Sequence, residues 1–188
     1  MKEYSEKETR ILDTAADLFA KQPFHKVLLS DVARAASVGK GTLYLYFKSK
    51  EDLYFAVLFR GFDVLVDRLQ KILSDKAMPP DEQLTAVVRD LAEHIYGKAT
   101  NVELLGVVMT CPTTDEWSQK RRELWALIEE IIRRGVAQGV FEDATPALTA
   151  KYIPGLIRSV CLFKPEGVDI KTICNHACDF VLRGLKKA

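Results

Sequence analysis

Residues 29–47 read Leu29-Ser30-Asp31-Val32-Ala33-Arg34-Ala35-Ala36-Ser37-Val38-Gly39-Lys40-Gly41-Thr42-Leu43-Tyr44-Leu45-Tyr46-Phe47. Val32, Ala33 and Ala36 share one face of a short helix over about Leu29–Ala36. Ser37-Val38-Gly39 is a tight turn of small residues, and a second helix runs from about Lys40 to Phe47. Helix, three-residue turn, helix is the arrangement in which the second helix enters the major groove of DNA.

The charge pattern around this stretch agrees. Residues 21–50 hold six basic residues (Lys21, Lys26, Arg34, Lys40, Lys48, Lys50) and one acid, Asp31, although the net charge of the 188-residue chain is only +1. A local basic patch beside a near-neutral body points to a polyanion contact. Lys40, Gly41 and Thr42 open the second helix, where free amides and the helix dipole favour phosphate and a short hydroxyl side chain reaches base edges. Tyr44 and Tyr46 can donate hydroxyls to phosphate oxygens, with Lys48 and Lys50 following. Lys50 falls in the first turn of the next helix, a mildly unfavourable place for a cation unless an anion lies near. The same residues also fit a plain helical head with Tyr44 and Phe47 in its core and a solvated basic face.

Outward from this stretch the period is helical almost throughout. Ile11, Leu12, Ala15, Ala16 and Phe19 line a first helix that Ser5-Glu6-Lys7-Glu8 would cap and Pro23 would end. Ser49 opens a long fourth helix to about Ser74. Leu84, Val87, Val88, Leu91, Ala92 and Ile95 mark a fifth, and Asn101 to Met109 a sixth. Thr113-Thr114-Asp115-Glu116 starts a seventh helix, with Trp117, Leu124, Ile128, Ile131 and Ile132 inward and Gly139 at its end. Thr145-Pro146 caps an eighth, in which Pro154 should produce a kink, and Asp169 caps a ninth. The expected fold is all-α, nine helices, with a three-helix head over residues 1–47 and a helical body over 48–188.

Composition narrows the class. An apolar share of 48% excludes disorder, and no apolar run reaches the ~20 residues of a membrane helix. The charged opening MKEYSEKETR is unlike a signal peptide, so a cytoplasmic protein is expected. Four cysteines are too few for a disulfide scaffold. Cys174 and Cys178 share a helix face, which leaves a thiol or metal switch as an alternative to buried apolar packing. No nucleophile elbow, phosphate-binding loop or zinc-protease pair is present, and nothing calls for an enzyme, a cofactor or a metal.

Val38 to Leu53, Val-Gly-Lys-Gly-Thr-Leu-Tyr-Leu-Tyr-Phe-Lys-Ser-Lys-Glu-Asp-Leu, resembles the signature of the TetR family of bacterial transcriptional regulators. Ile11 to Phe19 and Asp31-Val32-Ala33 resemble that family's first two helices, and Arg134 to Phe141 a stretch near the end of its seventh. The resemblance implies a homodimeric repressor, bound to a palindromic DNA operator and released by a small, largely apolar effector. A constitutive or thiol- or metal-controlled DNA-binding protein is the alternative. The resemblance places Thr42 and Tyr44 toward bases or the groove, Tyr46 and Lys50 on phosphate, and Leu45 at a variable position suited to apolar contact with a thymine methyl. Ser30 is the nearest hydroxyl where members cap the second helix, because Val27-Leu28-Leu29 holds none. Ser37 replaces a turn glycine, a source of strain.

In the body, Phe59, Phe62, His94, Met109, Trp117, Trp125 and Tyr152 are candidate effector-lining residues. Tyr152, Leu156, Ser159 and Val160 on the eighth helix, and Ile173, Ala177 and Val181 on the ninth, are candidate dimer contacts. The fourth helix, joining head to body, is the expected lever of induction.

Overall fold

The computed structural model describes residues 3–98, 114–163 and 166–186. Their helices are α1 (Glu6–Lys21), α2 (Leu29–Ala35), α3 (Lys40–Tyr46), α4 (Lys50–Ser74), α5 (Pro80–Lys98), α6 (Asp115–Ala137), α7 (Pro146–Leu162) and α8 (Ile170–Leu185), with a short 3-10 turn at Phe24–Lys26. The helix expected over 101–109 lies outside the described residues. Among the described residues two compact units form, 3–64 with 114–117 and 65–98 with 118–186. Both α4 and α6 therefore begin in the first unit and end in the second.

The first unit is the head with the starts of α4 and α6. Ile11, Leu12, Ala15 and Phe19 of α1 meet Val32 and Ala33 of α2, Leu43 of α3 and Leu53, Tyr54 and Val57 of α4 in one buried cluster. The Ser5 hydroxyl accepts from the Glu8 N–H at 3.3 Å and so caps α1, as its sequence predicts. Ser49 does the same for α4, accepting from the Asp52 N–H at 3.0 Å. Arg60 of α4 reaches α1, pairing with Asp13 at 2.5 Å.

The turn between α2 and α3 is a Schellman motif. The Val38 N–H donates to the Ala33 carbonyl at 2.9 Å and the Ser37 N–H to Arg34 at 3.1 Å. That geometry puts Ser37 at φ 53°, the left-handed region that a glycine would occupy without strain. Leu28 precedes α2 and offers no side-chain cap, as the missing hydroxyl implies.

In the second unit α5 packs against α7 and α8, and α7 against α8. Leu84, Val87, Val88, Leu91 and Ala92 of α5 are buried, as are Ile173, Cys174, Cys178, Val181 and Leu185 of α8. Gly139, at φ 72°, closes α6 with the same motif, bonding Val140 N–H to Gly135 at 2.9 Å. Gly135 has its own reason. A Cβ there would sit 2.1 Å from the Phe141 ring, which is packed on its bare backbone. One expected cap is corrected: the Thr145 side chain makes no cap bond, and Asp143 Oδ1 instead accepts from the Thr145 N–H at 2.7 Å. The body also has a cap with no local signature. Fully buried Gln83 donates from Nε2 to the carbonyls of Ile72 (2.8 Å) and Asp75 (2.6 Å), satisfying the end of α4. α7 continues through Pro154.

Candidate DNA-recognition site

α3 is divided along its length. Leu43 is fully buried and Phe47, just past the helix, is 5% exposed, so these two anchor α3 in the head core. Lys40, Gly41, Tyr44, Leu45, Tyr46 and Lys48 are exposed and Thr42 is half-buried. Helical spacing of 100° per residue places Gly41 and Leu45 on the line opposite Leu43. Ser30, at the start of α2, is exposed as well. Every candidate DNA residue except Lys50 and Thr42 is thus open to solvent in the same short segment of the head.

Gly41 is informative because the fold does not need it. A Cβ there would meet nothing within 4 Å. A glycine in a helix costs about 0.5–1 kcal/mol relative to alanine. Nothing within the protomer accounts for the missing side chain.

Tyr46 and Lys50 are tied down. The Ser5 hydroxyl donates to the Tyr46 hydroxyl at 3.3 Å, which leaves the phenolic proton for another acceptor. Lys50 is half-buried, and its Nζ donates to the Phe24 carbonyl at 2.9 Å while lying 4.4 Å from the centre of the Phe24 ring. The cation that looked misplaced at a helix start is held by a carbonyl of the 3-10 turn and by a ring. The family resemblance places Lys50 on phosphate, and within the protomer the ammonium also has a partner of its own. Its partner lies 26 residues away, beyond any helical period.

The candidate effector residues divide into three groups. Phe59, Phe62 and Trp117 come together: the Trp117 ring lies edge-on to Phe59 at 5.2 Å and stacks on Phe62 at 5.7 Å. In the second unit, His94 is half-buried, Trp125 carries the Lys151 ammonium 5.4 Å from its ring centre, and Tyr152 faces solvent. Met109 lies outside the described residues.

The candidate dimer residues separate by helix. On α7, Tyr152, Leu156, Ser159 and Val160 are exposed and continue into Leu148 and Phe163, an apolar stripe along one face. On α8, Ile173 and Val181 are buried inside the protomer and Ala177 is half-buried, while Phe180 is exposed and was not anticipated. Its signal was the i, i+4 pair with His176, whose ring stacks on it at 6.5 Å.

Burial pushes the Cys174 and Cys178 thiols up from their ordinary value. The Cys178 thiol donates to the Thr85 carbonyl at 3.7 Å. Both groups favour the neutral, unreactive form. Cys111 lies outside the described residues. Among the described residues no helix is long and apolar enough to cross a membrane.

Comparison with known proteins joins the two units to one family. The family described as "Bacterial regulatory proteins, tetR family" matches residues 11–57, and "Tetracyclin repressor-like, C-terminal domain" matches residues 77–185. The transcriptional repressor KstR2 of Mycolicibacterium smegmatis is 30% identical over 169 residues, 84% of this chain and 79% of its own. The fatty acid metabolism regulator protein of Bacillus subtilis is 22% identical, covering 98% of both chains. The fold matches that of FadR from Bacillus subtilis in complex with stearoyl-CoA, with a TM-score of 0.72 at 19% identity over 94% of this chain and 98% of that one.

Proposed function

The chain belongs to the tetR family of bacterial regulatory proteins, and from that premise we propose that it is a dimeric repressor, released from a palindromic operator by a small, largely apolar effector. The observation that carries the reading is the division of α3: Leu43 holds the helix in the core while Lys40, Gly41, Tyr44, Leu45 and Tyr46 remain exposed. A free chain gains nothing by exposing that set, whereas the major groove meets it with phosphates and base edges.

Dimerisation is assigned to the α7 stripe of Tyr152, Leu156, Ser159 and Val160, extended by Phe180. Two heads are then available for two half-sites. For the effector, acyl-coenzyme A thioesters are the first class to try. FadR of Bacillus subtilis holds stearoyl-CoA, and the cluster of Phe59, Phe62 and Trp117 offers an acyl chain an apolar surface. Phe59 and Phe62 lie on α4, whose first turns pack in the head core. An effector that binds the DNA-incompetent arrangement more tightly would shift the population away from the operator. No catalytic group is assigned.

The test is a titration of the protein–operator complex with coenzyme A thioesters of short, medium and long acyl chains, beside coenzyme A alone. Release by a thioester and not by coenzyme A supports the assignment. Retention of the operator at saturating concentrations of every thioester contradicts it.

A further inference from the structure

Leu45 is 76% exposed, the largest exposure of any large apolar side chain among the described residues. It stands one helical turn after Gly41, on the line opposite buried Leu43. A helical side chain leans toward the N-terminus, over the preceding turn. The position beneath Leu45 is Gly41, and a Cβ there would meet no side chain of the protein within 4 Å, that of Leu45 included. The leucine is bare, amid Lys40, Thr42, Tyr44, Tyr46 and Lys48, all groups suited to phosphate or polar base edges.

Resting on the DNA-binding reading above, we propose that Leu45 is a specificity-determining residue that reads the C5-methyl group of a thymine in each half-site. The surrounding basic charge commits this face to DNA. Within the major groove the apolar feature on a base edge is the thymine methyl; the other edges present hydrogen-bond donors and acceptors. An uncovered leucine gains by burying that methyl and loses against a polar edge left unpaired. The absent Gly41 side chain lets the helix approach closely enough for the contact.

Replacing thymine by deoxyuridine removes this methyl and nothing else. An operator selected from random duplex is resynthesised with deoxyuridine at each thymine pair in turn, placed symmetrically, and titrated with the native chain and with Leu45→Ala. At one position the native chain is expected to lose about fourfold in affinity per half-site, the value of one buried methyl, or about fifteenfold for a symmetric operator. Leu45→Ala is expected to bind the thymine and deoxyuridine forms of that position equally, with an unchanged melting temperature, because Leu45 makes no core contact. Uniform tolerance of deoxyuridine by the native chain, with tight operator binding retained, overturns the methyl contact alone. A deoxyuridine loss that persists undiminished in Leu45→Ala assigns the methyl to another residue and also overturns it. Failure to bind any duplex overturns the DNA-binding reading and this inference with it.

Discussion

The Lys50 ammonium lies 2.9 Å from the carbonyl oxygen of Phe24 and 4.4 Å from the centre of the same residue's ring. One side chain at the start of α4 thus fastens the turn between α1 and α2. That bond is partly buried, so its loss leaves a carbonyl without its charged donor. A hydrogen bond to a charged group contributes about 1.5–3 kcal/mol. Lys50→Ala is expected to lower the free energy of unfolding by an amount in that range, seen as a lower melting temperature, and to weaken binding to operator and random duplex alike. Thermal denaturation and paired titrations check both. Lys50→Arg, which keeps the charge and can reach the same carbonyl, should recover much of the stability.

Gly41→Ala separates fold from function. The new methyl meets nothing in the protein, and alanine is the better helix former by up to about 1 kcal/mol. Stability should be unchanged or slightly raised. Affinity for DNA should nonetheless fall about tenfold or more, since the methyl stands where the groove must approach. A variant that melts higher and binds as before would remove Gly41 from the interface.

Ser37→Gly relieves a residue held at φ 53°. The left-handed conformation costs a non-glycine residue about 1 kcal/mol, part of which the greater freedom of glycine in the unfolded chain takes back. The expected gain is a few tenths of a kcal/mol, seen as a small rise in denaturant midpoint without a change in slope.

Leu156→Arg places a cation in the middle of the exposed α7 stripe. Its own fold should tolerate the change, because the position is solvated in the protomer. Sedimentation is expected to find a monomer. Affinity for a palindrome should drop to that of a single half-site.

The thiols set a pH dependence. Burial raises both Cys174 and Cys178, so the folded chain binds these protons more tightly than the unfolded chain. Their contribution is fully present below the unfolded thiol value of ~8.5 and is lost as pH rises through the folded values. The melting temperature should fall between about pH 8 and pH 10, and the Cys174→Ala/Cys178→Ala variant should fall less steeply over that range.

Much of the fold was legible because its signals are local. Ser5, Ser49 and Asp169 cap the helices they precede, Gly139 ends α6 in a left-handed turn, and Ile11, Leu12, Val32, Ala33 and Ala36 are buried as their period predicts. What escaped joins residues far apart in the chain. Gln83 caps α4 from the next helix, Arg134 donates to the Met78 carbonyl at 2.7 Å, and Lys50 turns back to Phe24. None of these has a period. The same holds for Ile173 and Val181. Periodicity marks an apolar face but not what covers it, and on α8 that face is turned inward, leaving Phe180 outside.

On the proposed function, the exposed face of α3 reads a specific DNA sequence as part of a symmetric dimer. Selection of bound duplexes from a random pool at moderate salt, with effector-free protein, tests it most directly. One palindrome is expected to be enriched, with half-sites centred about 10 base pairs apart or a multiple of that. A folded protein that enriches no sequence, or one that enriches the same sequence with Thr42, Tyr44 and Leu45 all changed to alanine, would contradict it.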